Sequence, residues 1–140
     1  MRTQVRVLLS VATAWILGIA IVRGRTEPLA GVVIGVIGLA GVAAYGAWAL
    51  RRGRHTPWAE AERTIGPGRA VVLWKPGCVY CERMLKQIGD DPRVTWVNVW
   101  HDDAARAHVR ELTPTVQIGD LVLRNPPPRQ VLELISSGRG

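Results

Sequence analysis

At 140 residues the chain has room for one small domain. It is 48% hydrophobic, with six Trp, 15 Gly and no Phe. Its formal net charge of +7 would suit a nucleic-acid binder. The charge is unevenly placed: residues 1–56 hold seven Arg against one acid, Glu27, giving +6, while residues 57–140 hold eleven Lys and Arg against ten acids, giving +1. The basicity therefore flanks long apolar runs instead of forming a binding face, which excludes a basic nucleic-acid domain. Two cysteines exclude a disulfide-rich miniprotein, and the apolar content excludes a disordered tail.

Val5–Val22 is an 18-residue apolar run interrupted only by Arg6, and Pro28–Leu50 runs for 23 residues without a charge. A bilayer core of about 30 Å takes about 20 apolar residues in a helix, so helices of about 5–22 and 28–50 are predicted to span, with Arg6 snorkelling to the interface. A cleaved signal peptide is the other reading of the first run. Its length and the bulky Ile21–Val22–Arg23 end argue against cleavage. Only Arg23–Glu27 separates the runs, which predicts a two-pass hairpin. Five outer Arg (2, 6, 51, 52 and 54) against two in the loop (23 and 25) place both termini in the cytoplasm, at the cell (inner) membrane. Ser10, Ala14 and Gly18, with Gly31, Gly35 and Gly38, are spaced to let helix backbones approach, either within the hairpin or across a homodimer.

Residues 53–68 read as a juxtamembrane helix and linker. Arg51–His55 lies against anionic lipid headgroups. Thr56 caps a helix from Trp58 to Ile65, with Pro57 in its first turn, and Gly66–Pro67–Gly68 ends it. From residue 69 to 140 the pattern is that of an α/β domain. Ala70–Trp74 is a buried strand, and a helix carrying Met84, Leu85 and Ile88 ends at Gly89. Val94–Trp100 is a strand, and Ala104 to about Glu111 a helix capped by Asp102 or Asp103. Thr115–Ile118 and Leu121–Arg124 form a hairpin about Gly119–Asp120, and Pro128–Ile135 is the last helix. The order β-α-β-α-β-β-α implies a sheet with a parallel part and a terminal hairpin.

Both cysteines fall in Cys78–Val79–Tyr80–Cys81, directly after the first strand and at the start of a helix. Helix N-terminal N–H groups favour a thiolate, and Lys75 adds a cation. Cys78 sits at the tip as the attacking thiolate, with Cys81 one turn inside as the resolving thiol. Spacing of three lets the pair close a disulfide. Zinc would need four ligands, and the six-residue gap between His101 and His108 does not suit it, so no metal is assigned. Trp74, Trp96 and Trp100 read as packing residues, with Trp74 nearest the thiols. Thr113–Pro114–Thr115 enters the third strand.

With Lys75, Cys78–Val79–Tyr80–Cys81, Thr113–Pro114–Thr115–Val116, the Gly119–Asp120 turn and Asn125–Pro126, residues 70–136 resemble the glutaredoxin family, and within it the actinobacterial mycoredoxins. The resemblance implies a thioredoxin fold, four mixed strands with three helices, preceded here by the transmembrane hairpin. It implies a cis Pro114, and a small-thiol site at Lys75, Tyr80, Thr113, Pro114 and Thr115. It implies a thiol-disulfide oxidoreductase that reduces protein mixed disulfides, fed by a thiol-reductase system and binding no resident cofactor. Leu123–Arg124–Asn125–Pro126 replaces the Gly-Gly and acidic pair of glutathione-using relatives, which favours mycothiol over glutathione as co-substrate. The connection Arg110–Glu111–Leu112 is shorter than is usual in the family. Two other functions fit the same residues: a redoxin recharged directly by thioredoxin reductase, and an iron–sulfur-binding module bridging two Cys78 thiolates.

Overall fold

The first apolar run folds as α1 (Arg2–Gly24) and the second as α2 (Pro28–Ala49). Each is long and apolar enough to cross a membrane. The computed structural model describes residues 2–109 and 112–138. α1 stops where the Arg23 carbonyl accepts the Thr26 and Glu27 N–H groups at 3.2 and 2.8 Å, and α2 starts with Pro28 in its first turn, where a missing N–H costs nothing. The two helices pack side by side. A Cβ on Gly31 would lie 2.5 Å from the Gly24 Cα and 2.7 Å from the Ala20 carbonyl oxygen, so only glycine permits this approach. Gly35 meets Ala20, and Gly38 meets Ile16. Gly18 has nothing within 4 Å and faces away from α2. The outer faces of both helices are apolar, with Trp15 70% and Leu29 79% exposed. A helix apolar on all sides belongs in a buried or lipid environment.

A second unit begins at Arg52. Arg52–Pro57 runs without regular structure into α3 (Trp58–Ala61), which continues as a 3₁₀ turn over Glu62–Thr64. Then come β1 (Ala70–Trp74), α4 (Val79–Ile88), β2 (Val94–Asn98), α5 (Asp103–His108), β3 (Thr115–Ile118), β4 (Leu121–Arg124) and α6 (Pro128–Ser137). The four-stranded sheet has the order β2-β1-β3-β4. β1 pairs parallel with β2, Ala70 opposite Val94, and antiparallel with β3, Leu73 opposite Thr115. β3 and β4 form the hairpin, and the unit is α/β with a mixed sheet.

Central β1 is buried on both faces, as its unbroken apolar run requires. On one face Ala70, Val72, Trp74, Trp96, Val116 and Ile118 pack against Cys81, Met84 and Ile88 of α4 and Val131 and Ile135 of α6. Each large apolar side chain so buried contributes about 1.5–3 kcal/mol.

Several element boundaries differ from the sequence reading. The helix expected over Trp58–Ile65 makes one α turn and then tightens. Thr56 does not cap it: the Thr56 N–H donates to the Trp96 carbonyl at 2.8 Å, and the Trp58 N–H donates to Asp102 Oδ2 at 2.7 Å. β2 ends at Asn98, not Trp100, because Asn98 Oδ1 accepts the Trp100 N–H at 2.9 Å and turns the chain. α5 ends at His108; the expected continuation to about Glu111 falls on Arg110 and Glu111, outside the described residues. Asp102 does cap α5, accepting the Ala105 N–H at 2.9 Å.

Candidate active site

β1 delivers the chain into Lys75–Pro76–Gly77, and Gly77 turns it with φ +77°. The Gly77 N–H donates to Glu82 Oε1 at 3.2 Å. Cys78 is then the N-cap of α4, in extended backbone with no side-chain cap bond. Its half-buried sulfur faces the segment before β3. Cys78 Sγ lies 3.4 Å from the Thr113 carbonyl oxygen and 3.7 Å from Thr113 Oγ1. The Thr113–Pro114 peptide is cis, and Pro114 is buried. Asn125, at φ 47°, ties the end of β4 to the same place through its N–H on the Pro114 carbonyl at 2.8 Å.

Cys81 lies one turn inside and is fully buried, in the cluster with Trp74 and Met84. Both thiols are free. Burial pushes Cys78 up, but the Cys81 thiol and N–H, the Thr113 hydroxyl and the Tyr80 N–H together outweigh it and hold Cys78 below the ordinary thiol value. Burial pushes Cys81 up to about 12, against the Lys75 N–H bond and with the Cys78 charge adding to the rise. At neutral pH the arrangement carries one ionisable nucleophile at the surface and one protonated thiol beneath it. A thiolate held this way attacks a disulfide sulfur, and the second thiol stands three residues off to displace the product.

The site residues read from the sequence are not all used alike. Cys78, Cys81, Thr113 and Pro114 come together. Lys75 meets the pair through its main-chain N–H, on Cys81. Tyr80 contributes its N–H to Cys78, and its ring is 58% exposed beside Val79. Thr115 sits opposite Leu73 in the ladder, so alternation along the strand turns its side chain away from Val116 and the cysteine face; its hydroxyl donates to the Leu112 carbonyl at 2.6 Å. The histidines lie elsewhere: His108 stacks on Trp58 at 4.2 Å, and His101 is 6.0 Å from His55.

Sequence reasoning placed Trp74 as a packing residue nearest the thiols but missed Asn98 and the partners that hold both side chains. Trp74 is wholly buried, and its indole N–H donates to the Arg54 carbonyl at 2.8 Å. Asn98 is also wholly buried and donates through Nδ2 to the Arg52 carbonyl at 2.7 Å. A lone Asn within Val94–Trp100 was the available signal, because a buried amide in an apolar run needs partners. No protein-family model, curated protein or solved structure matches the chain, so the site stands on its own residues.

Proposed function

We propose that the chain is a membrane-anchored thiol-disulfide oxidoreductase of the glutaredoxin type, on a thioredoxin-like fold. The observation that carries the reading is the pairing of a half-buried Cys78 at the start of α4 with a buried Cys81 one turn inside, with Cys78 Sγ 3.4 Å from the carbonyl of the cis Thr113–Pro114 peptide. In the reaction, the Cys78 thiolate attacks the mixed disulfide, forms a Cys78–small-thiol disulfide and releases the client as its thiolate. A second small thiol, as its thiolate, then attacks the sulfur of the bound small thiol, forms the small-thiol disulfide and releases the Cys78 thiolate. Alternatively Cys81, after losing its proton to solvent, attacks Cys78 Sγ, releases the bound thiol as thiolate and leaves a Cys78–Cys81 disulfide that two small thiols reduce. Electrons come from the small-thiol reductase system. Mycothiol is the favoured co-substrate, from Asn125–Pro126 in place of an acidic pair. The anchor is α1 and α2, and the arginine distribution favours a cytoplasmic active site.

The test is a coupled assay on the full chain in detergent, with a protein–mycothiol mixed disulfide, mycothiol, its disulfide reductase and NADPH. Turnover that disappears in Cys78→Ser supports the reading. No turnover, or full turnover in Cys78→Ser, refutes it. Turnover with thioredoxin reductase and no small thiol selects the directly recharged redoxin instead.

A further inference from the structure

The six residues before α3 lie along the redox unit. Thr56 donates its N–H to the Trp96 carbonyl, and the Asn98 N–H donates to His55 Nδ1 at 3.3 Å, so the segment covers the outer edge of β2. Gly53, at φ +58°, lies on the indole of Trp74: a Cβ there would fall 2.4 Å from Cη2 and 2.6 Å from Cζ2. The next carbonyl, Arg54, takes the Trp74 indole N–H, and the Arg52 carbonyl takes the Asn98 amide. Both donors belong to side chains with no exposure to solvent, where an unmatched N–H is costly. Trp74 is the last residue of β1 and packs in the same buried cluster as Cys81.

We propose that Arg52–Pro57 is a positioning strap, which holds Trp74 and, through the buried cluster that Trp74 shares with Cys81, fixes Cys81 beneath Cys78. The inference rests on the reading of Cys78 and Cys81 as an exchange pair. A Cys81 held in one place keeps its thiol beside the Cys78 sulfur, where it favours the thiolate. Gly53 and Trp74 touch no substrate in this scheme. They act on the thiols through the core packed around Trp74. A redox unit beginning at residue 69 would lack the strap.

The experiment follows exchange of Cys78 with a neutral aromatic disulfide across pH, on the full chain in detergent, for wild type, Gly53→Ala, Trp74→Phe and the double variant. Phenylalanine lacks both the indole N–H and the Cη2 and Cζ2 atoms that a Gly53 substituent would strike. Gly53→Ala is expected to move the midpoint to higher pH and slow exchange below the midpoint about threefold, within the range of coupling through packed side chains. Trp74→Phe is expected to do the same, and the double variant to be no slower than Trp74→Phe alone. Ile135→Val, a core change beside Gly68 at the opposite end of β1 from the strap, should lower the unfolding temperature without moving the midpoint. Unmoved midpoints in the strap variants would overturn the proposal, as would slowing that multiplies in the double variant. If Gly53→Ala does not fold, Trp74→Phe against Ile135→Val decides the matter. Because exchange with the probe measures thiolate and not turnover, a chain inactive as an oxidoreductase would still give a clear result here.

Discussion

Replacing Cys81 by alanine removes the thiol that donates to Cys78 and leaves the fold's other contacts at the site in place. That thiol is the first of the groups lowering Cys78. A hydrogen bond to a charged acceptor contributes about 1.5–3 kcal/mol. Cys78 is only half-buried, so the lower end applies, about 1.5 kcal/mol, which is about tenfold in thiolate population. A thiolate of higher basicity is also the better nucleophile, with a Brønsted slope of about 0.4–0.5, which returns about threefold in intrinsic rate. The two effects together give a crossing profile. Well below both midpoints the variant should exchange with a neutral disulfide about threefold more slowly than wild type, and well above its midpoint about threefold faster. Stopped-flow exchange across pH measures both arms in one series. A midpoint that stays put or moves to lower pH would refute the assignment of Cys81 as donor. Deleting the buried sulfur also opens a small cavity, at about 1 kcal/mol, which lowers the unfolding temperature without touching the profile.

Asp102→Ala should cost about 2 kcal/mol by thermal unfolding, since it orphans the Ala105 N–H on α5 and the Trp58 N–H on α3. Burial raises the Asp102 carboxyl, but the Ala105 and Trp58 N–H groups, the His55 charge and the Ala104 N–H outweigh it and hold it below its ordinary 3.8. The stabilisation is therefore present above pH 3.8 and lost as pH falls through the lower folded value, so wild type and variant should converge in acid. An unchanged gap between them at low pH would contradict this. In the helix pair, Gly31→Val drives a side chain into Gly24 and should destabilise the pair by about 1–3 kcal/mol in detergent. Gly18→Val, with nothing within 4 Å, should leave it unchanged, and equal effects would contradict the packing. An impermeant thiol reagent should fail to label Cys78 in intact cells; labelling would reverse the orientation drawn from the arginines.

Much of the architecture was legible because its causes are local. Two apolar runs declare their helices by length alone, and Pro28 marks where the second begins. β1, β3 and β4 came out with the expected limits, since an apolar run or alternation bounded by Gly119–Asp120 is a short-range signal. The position of Cys78 at a strand-to-helix junction was equally readable. Boundaries set from a distance were not. Trp58 takes its cap from Asp102, 44 residues away, and Thr56 is drawn to the edge of β2. Local patterning in that stretch spoke only for a helix and a linker.

The same division holds for the site. Sequence alone supplied the two thiols and their order of exposure, because spacing and residue type carry that information, while the proline opposite them was implied only by the family resemblance. Only the tertiary structure decided what surrounds the sulfurs. It brought the Thr113 hydroxyl and carbonyl to Cys78, turned the Thr115 side chain to the opposite face of the sheet, and gave Lys75 a role through its main chain. It also packed Gly53 and the Arg54 carbonyl on Trp74. The contacts of Arg54 with Trp74 and of Thr113 with Cys78 join residues 20 and 35 positions apart in the chain. Hydrogen-bond partners at such separations follow from how the sheet and its flanking segments pack, which no local pattern encodes.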